Sequence, residues 1–114
     1  RELHVTQTLA CTDLGPPPPL AKLKPGESAA RLVTTEFFRV DEWRLRSGES
    51  RPLAGQPNRA HVAMMLQGTG TLNAKGSDPF ALEAGRTLLI PASLLASATF
   101  TATTDLTLLV VDVL

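Results

Sequence analysis

The feature that most constrains this chain is a regular alternation of short apolar runs and turn residues from Glu36 to the end of the sequence. The runs are rich in Val, Leu, Thr and Phe, and about 8 to 12 residues separate one turn from the next, a spacing typical of an all-β sandwich or barrel. The predicted strands are Phe37 to Leu45, His61 to Gln67, Gly70 to Ala74, Phe80 to Leu82, Thr87 to Ile90, Ala98 to Thr101 and Leu106 to Val113.

The first 35 residues have a different character. Leu3 to Ala10 fits either a helix or a strand, and the run Gly15 to Pro19 favours extended polyproline geometry. Pro25 to Ser28 then indicate a turn. We therefore expect residues 1–35 to form an N-terminal arm and a proline-rich connector, and residues 36–114 to form one barrel.

Composition excludes several classes of partner. The chain has 114 residues, enough for one domain with one modest core, and its 11 Lys and Arg balance its 11 Asp and Glu. No segment gathers the cations, so we expect no nucleic-acid partner. The longest apolar stretch, Thr87 to Ala96, is interrupted by Pro91 and is shorter than the about 20 residues that span a bilayer, so we expect no membrane partner. The lone Cys11 cannot form an internal disulfide, which favours a cytoplasmic location.

Two spacings of glycine and proline resemble the paired motifs of the cupins. His61 begins a predicted strand that ends before Gly68, and Gly85 leads into a strand that ends at Pro91. The resemblance implies a cupin-type double-stranded β-helix, a jelly-roll barrel, following the arm. In that family the first motif supplies two His and one Glu, and the second supplies another His. These side chains hold a transition metal inside the barrel, because alternate residues of a strand face the same side.

Mapped onto those motifs, this sequence keeps the turns and loses the metal ligands. His61 stands where the family has Glu, and Ala96 stands where the second motif has His. Ser93 replaces a motif glycine, and the His pair would fall within Ala54 to Pro57, where no side chain binds metal. Because protein zinc sites use three or four protein donors, we expect no metal, no cofactor and no catalytic residue in this chain.

A closer resemblance rests on the order of several segments. Glu36 to Leu45 contains Phe-x-Val-x-x-Trp, and it is followed by Met65 to Gly70, Glu83 to Ala92 and the terminal strand. This order is similar to the C-terminal part of a type I mannose-6-phosphate isomerase of the short bacterial kind, and the similarity covers almost the whole chain. It implies an upstream cupin half that holds zinc and the catalytic residues, and that interconverts mannose 6-phosphate and fructose 6-phosphate.

The N-terminal sequence agrees with that interpretation. Arg1 to Val5 contains neither an initiator Met nor the apolar core of a signal peptide, so the chain resembles a piece of a longer protein. We therefore expect an inactive, structural C-terminal half that packs on the upstream catalytic cupin domain.

Three positions are candidates for the barrel interior: His61, Met65 and Ala96. The structural interpretation of His61 is a hydrogen-bonded core or rim group, and its functional interpretation is a remnant of a metal site. The strand from His61 to Gln67 is apolar on both faces, which predicts cover on both. A second subunit in a homodimer, the upstream domain or the arm from Leu3 to Lys24 would supply the outer cover.

Two other functions stay open at this stage. One is a stand-alone, metal-free cupin that binds a small ligand or joins subunits. The other is an active metallocupin with unusual ligands, which a metal assay of the purified protein would identify.

Overall fold

The computed structural model describes residues 4–17, 19, 21–54 and 58–114. Within them the chain forms nine strands and two short helices. Their bounds are α1 (Val5–Cys11), β1 (Ala29–Thr34), β2 (Phe38–Leu45), β3 (Ser50–Pro52), β4 (His61–Gln67), β5 (Thr69–Asn73), β6 (Phe80–Glu83), β7 (Thr87–Ile90), α2 (Ala92–Leu95), β8 (Thr99–Ala102) and β9 (Leu106–Val113).

The strands form two antiparallel sheets. The larger has the order β1-β2-β9-β4-β7, and the smaller has the order β3-β8-β5-β6. The chain therefore crosses repeatedly between sheets, and its last strand lies in the middle of the larger one. The pairing of β2 with β9 runs without interruption from Phe38 opposite Val113 to Leu45 opposite Leu106. Two facing antiparallel sheets with crossed connections confirm the predicted all-β fold class.

The inner faces of the two sheets enclose one apolar core. Trp43 of β2 meets Phe100 of β8 edge to face, with ring centroids 6.0 Å apart and ring planes at 89°. Ala63 of β4 and Leu108 of β9 are completely buried at the centre of the larger sheet. Burying a large apolar side chain contributes about 1.5 to 3 kcal/mol relative to leaving it exposed. This burial fixes which side of each strand faces inward.

The Gly-x-Gly sequence at residues 68–70 is a packing requirement of this fold. Gly68 has a φ of +85°, and a Cβ on it would overlap the carbonyl oxygen of Asp105. A Cβ on Gly70 would overlap the carbonyl oxygen of Thr101. Gly68 and the start of β5 thus lie directly against the backbone of β8 and of the turn that follows it, where only glycine fits. These glycines have a structural role that needs no metal.

The larger sheet begins before residue 36, where the sequence placed the start of the barrel. β1 lies in the segment interpreted as connector, and it pairs with β2 from Ala29 opposite Trp43 to Thr34 opposite Arg39. The turn signal from Pro25 to Ser28 is real, but the chain becomes a strand directly after it. β3 was not predicted either, because Ser50–Pro52 is too short and polar to show alternation.

The arm contains the helix α1, so the helix and not the strand is the correct alternative for this segment. All described side chains from His4 to Pro17 are exposed, so α1 packs on no other element. Neither α1 nor α2, the helices of the described residues, is long and apolar enough to cross a membrane.

Candidate functional site

A row of polar side chains lies on the inner face of the larger sheet, near one end of the barrel. Arg39 of β2, Asp112 of β9 and His61 of β4 are direct neighbours across these three strands. Strand alternation places all three on the same side as the core residues of their strands. We call Arg39, Asp112 and His61 the polar row.

His61 is the most deeply buried member of the polar row, with 1% of its surface exposed. Its Nδ1 lies 3.3 Å from the carbonyl oxygen of Arg59, and its Nε2 lies 3.2 Å from Oδ1 of Asp112. Nε2 and Oδ1 form no well-aligned hydrogen bond with any described residue. Their contact is therefore a close approach without good hydrogen-bond alignment. Each atom depends on it, because a buried polar group without a partner costs free energy.

A second pair of charges continues from the polar row toward the edge of the sheet. Arg31 Nε donates to Asp41 Oδ1 at 2.6 Å, and Arg31 Nη2 donates to Asp41 Oδ2 at 3.1 Å. This hydrogen bonding raises the pKa of Arg31. Arg39 Nη1 lies 3.9 Å from Asp112 Oδ2, which is a weaker pair. The two arginines and the two aspartates balance one another, so this end of the barrel concentrates no charge of one sign.

Met65 connects the two cupin-like motifs. Its side chain is buried in the core, as expected of an interior position. Its backbone N–H donates to the carbonyl of Arg86 at 2.9 Å, and its carbonyl accepts from the N–H of Gly85 at 2.8 Å. The turn of the second motif is therefore bonded to the strand of the first, which explains why both turns are kept without metal ligands.

Ala96 does not lie in the barrel interior, in contrast to the expectation from the motif. It is exposed at the C-terminal end of α2. After Pro91 the chain forms this short helix instead of continuing as a strand, so the motif spacing no longer carries Ala96 inward. At the predicted His-pair position, Ala54 is exposed, and residues 55–57 lie outside the described part of the chain.

The polar row does not fit the metal centre that the cupin resemblance implies. Among the described residues, no three His, Cys, Asp or Glu side chains are grouped to hold an ion. His61 and Asp112 offer two donors, and Arg39 beside Asp112 opposes a cation. Asp112 was missed by sequence reasoning, although a lone Asp inside the apolar strand β9 is a usable signal. We derive no metal-dependent step for this chain.

The outer face of the larger sheet carries a continuous apolar surface across all five strands. Direct cross-strand neighbours there are Val33 and Val40, Val40 and Val111, Val111 and Val62, and Val62 and Leu89. Several members are strongly exposed, Leu89 by 70%. We call this surface the outer band; it consists of Val33, Phe38, Val40, Val62, Met64, Leu66, Leu89, Leu109, Val111 and Val113.

A pocket of about 220 Å³ opens where the two sheets meet at their β6 and β7 edges. We call it the seam pocket. Its walls are mostly apolar and come from β5, β6, β7, α2 and the segment before β8. The main lining side chains are Leu72, Phe80, Leu88, Ile90, Leu94 and Ala98.

Comparisons with known proteins establish the fold. No protein-family model matches the chain, and no curated protein matches it. Solved structures do. An RmlC-like cupin family protein from Methanocaldococcus jannaschii, with a double-stranded β-helix fold, has a TM-score of 0.68 and 18% identity, covering 87% of this chain and 93% of that one.

Two further solved structures agree. An RmlC-like cupin protein from Desulfovibrio desulfuricans has a TM-score of 0.63 and 21% identity over 73% of this chain and 77% of that one. Ectoine synthase from P. lautus has a TM-score of 0.62 and 15% identity over 73% of this chain and 60% of that one. The chain therefore has the cupin double-stranded β-helix fold. Fold alone assigns no activity, because one fold hosts many functions.

Proposed function

We propose that this chain is a non-catalytic cupin barrel that docks, through the outer band, on a second cupin barrel. The observation that carries the proposal is the outer band itself. It is an apolar face on a folded barrel, and six of its ten members are at least 38% exposed. Contiguous exposed apolar faces are characteristic of interaction sites.

The distribution of charge supports docking of sheet on sheet. The five side chains in the row from Val33 to Leu89 are all aliphatic, and they form one line across the sheet. Glu42 and Arg44 occupy the outer face further along β2, where they pair with each other at 2.7 Å. An apolar centre with a polar rim is the usual arrangement of a stable interface.

We further propose that the second barrel is the upstream catalytic half of a mannose-6-phosphate isomerase in the same cytoplasmic protein. Support comes from the order of segments described above, in particular Phe38 to Trp43 and Glu83 to Ala92. In this proposal the upstream half holds zinc and interconverts mannose 6-phosphate and fructose 6-phosphate. This chain contributes a rigid face and no reacting group. The isolated chain should then show no turnover of either sugar phosphate.

The sequence encoded upstream of Arg1 tests the identity of the partner. A cupin half with a Gln-x-His motif and two further metal ligands is the expected result. An unrelated upstream domain, or none, would contradict the isomerase proposal while leaving the outer band to be explained by another partner.

Substitution within the outer band tests the docking. Met64 is 38% exposed in the middle of the outer band, so Met64→Glu is compatible with the isolated barrel but places a charge in the proposed interface. We expect the variant parent protein to lose at least about 2 kcal/mol of stability at that interface, because a buried unpaired charge is strongly unfavourable. Thermal unfolding of the parent, followed by calorimetry, measures the loss.

Leu14→Glu is the matched control, because Leu14 is 82% exposed on the arm and packs on no element. It should leave unfolding unchanged. Equal effects of the two substitutions would contradict docking through the outer band.

A second candidate function is a stand-alone, metal-free cupin that binds a small ligand or forms a homodimer. The seam pocket favours ligand binding, and the outer band is equally able to cover itself in a second copy. Sedimentation equilibrium of the isolated chain distinguishes a homodimer from docking on an upstream domain. A dimer that Met64→Glu dissociates supports the homodimer, whereas a monomer at all concentrations supports the upstream partner.

A further inference from the structure

We propose that the seam pocket binds a small organic cation with an apolar body, such as a primary amine attached to a single ring. This inference does not rest on docking through the outer band, since the ligand would enter from the gap between the two sheets. An experiment that contradicts ligand binding in the seam pocket would not contradict docking through the outer band, and the reverse also holds.

The seam pocket lies in a gap between two strand edges. Among the described strands, β6 pairs only with β5, and β7 pairs only with β4. No backbone hydrogen bonds therefore close the barrel between β6 and β7. One end of the gap is held in place by α2 and by the N–H of Lys75, which donates to Ser97 Oγ at 3.0 Å. The walls are thus fixed by strands and a short helix, as in preformed ligand sites.

The volume and the lining define the body of the ligand. About 220 Å³ is available, well above the about 10 to 15 Å³ that one water molecule needs in the same measure. Leu72, Leu88, Ile90 and Leu94 surround this space with aliphatic carbon. A six-membered ring with one substituent fits this size, and its burial among these side chains would provide most of the binding free energy.

One charged side chain defines the head group. Asp78 is the only ionisable residue among the described residues that line the pocket, and it forms no ion pair with any of them. Phe80 lies beside it in the lining and presents an aromatic ring. The guanidinium of Arg86 lies 5.8 Å from the centroid of the Phe80 ring. Arg86 is itself paired with Glu83 at 3.5 Å. A carboxylate next to an aromatic ring favours an ammonium group over a neutral or negative one.

Benzylamine, benzyl alcohol and benzoate are suitable probes, because they share a ring and differ in the charge of the head group. Titrations of the isotope-labelled chain, followed through the methyl signals of Leu88, Leu94 and Ala98, report occupancy of the pocket. For ligands this small we expect Kd on the order of 1 mM for benzylamine. An exposed ion pair should make benzylamine bind about 2- to 5-fold more tightly than benzyl alcohol, and benzoate more weakly than either.

Two variants and one control make the test specific. Asp78→Asn should abolish the preference for benzylamine while leaving benzyl alcohol binding unchanged. Glu36→Gln, which removes an exposed carboxylate elsewhere on the surface, should change neither. Leu94→Trp should fill the pocket and weaken both ligands at least 10-fold, with the amide spectrum confirming that the barrel is folded.

The outcomes separate the parts of the inference. Absence of methyl shifts with all three probes at tens of millimolar would overturn the site. Shifts that are unchanged in folded Leu94→Trp would overturn it as well. Equal binding of the three probes, or a preference that survives Asp78→Asn, would overturn the assignment of a cationic ligand.

Discussion

At the scale of the residue, buried His61 and partly buried Asp112 form a polar pair within an apolar barrel. The Nε2 of His61 and the Oδ1 of Asp112 lie 3.2 Å apart, and neither atom has a well-aligned hydrogen bond to any described residue. Removing one partner leaves the other buried without a partner, which costs free energy. Replacing both side chains with apolar groups avoids that cost. In this structure His61 contacts Asp112, and no third His, Cys, Asp or Glu of the described residues joins them.

A double-mutant cycle tests this role. We expect His61→Leu and Asp112→Val each to lower the free energy of unfolding by about 1 to 3 kcal/mol. The double variant should lose at least about 1 kcal/mol less than the sum of the two, because neither member of the pair then faces a missing partner. Arg39 loses its pairing with Asp112 both in Asp112→Val and in the double variant, so that loss cancels in the cycle. Urea unfolding followed by circular dichroism measures all four proteins. Additive losses would show that the two side chains do not depend on each other.

Gly68 offers a second test at this scale, because a Cβ there would overlap the backbone of Asp105. Gly68→Ala combines a positive φ with an overlap against Asp105, so we expect a loss of about 2 to 4 kcal/mol. Gly76 has a φ of +81° and open space around its Cα, so Gly76→Ala should lose only about 1 kcal/mol. Similar losses at both positions, measured by urea unfolding, would contradict the packing role.

At the scale of the element, the strands of the barrel were largely predictable and its margins were not. β4, β7 and β9 are apolar runs bounded by turns, and their predicted ranges agree with the structure. β1 escaped prediction because its six residues are half-exposed at a sheet edge, with a register shift between Arg31 and Val33. Edge strands of this kind show little apolar alternation, so tertiary pairing decides them.

The site was less predictable than the fold, because it depends on which strands become neighbours. His61 was identifiable from motif spacing, whereas its partner Asp112 is distant in sequence and joins it only through the pairing of β4 with β9. Ala96 failed as an interior candidate because four residues after Pro91 form α2. A motif spacing predicts turns well, because a turn depends on a few consecutive residues. It predicts poorly which distant side chains come together, because that depends on how the strands pair.

Truncation tests the revised start of the barrel. Removal of residues 1–21 deletes α1 and the proline-rich run, whose described side chains are exposed, so we expect Tm to change by less than about 2 °C. Removal of residues 1–35 also deletes β1, its pairing with β2 and the ion pair of Arg31 with Asp41. We expect this larger truncation to lower Tm by at least about 8 °C. Equal Tm values in differential scanning fluorimetry would show that β1 contributes nothing to the barrel.

At the scale of the whole molecule, the inner face of the larger sheet is buried in the core, and its outer face leaves apolar side chains exposed. The inner face of β4 is buried, while Met64 and Leu66 on its outer face remain exposed. Apolar residues on both faces of one strand predicted cover on both. Within the described residues the arm does not provide it, since every side chain of α1 is exposed. The partner barrel proposed above would cover this surface.

Chemical labelling of the outer band in the intact parent protein tests the docking most directly. With Cys11 replaced by Ser, Met64→Cys places one thiol in the middle of the band, at a position 38% exposed in the isolated barrel. We expect maleimide to label this thiol readily in the isolated chain and at least about 10-fold more slowly in the parent, where a second barrel covers it. Equal labelling rates in the two proteins would contradict docking through the outer band.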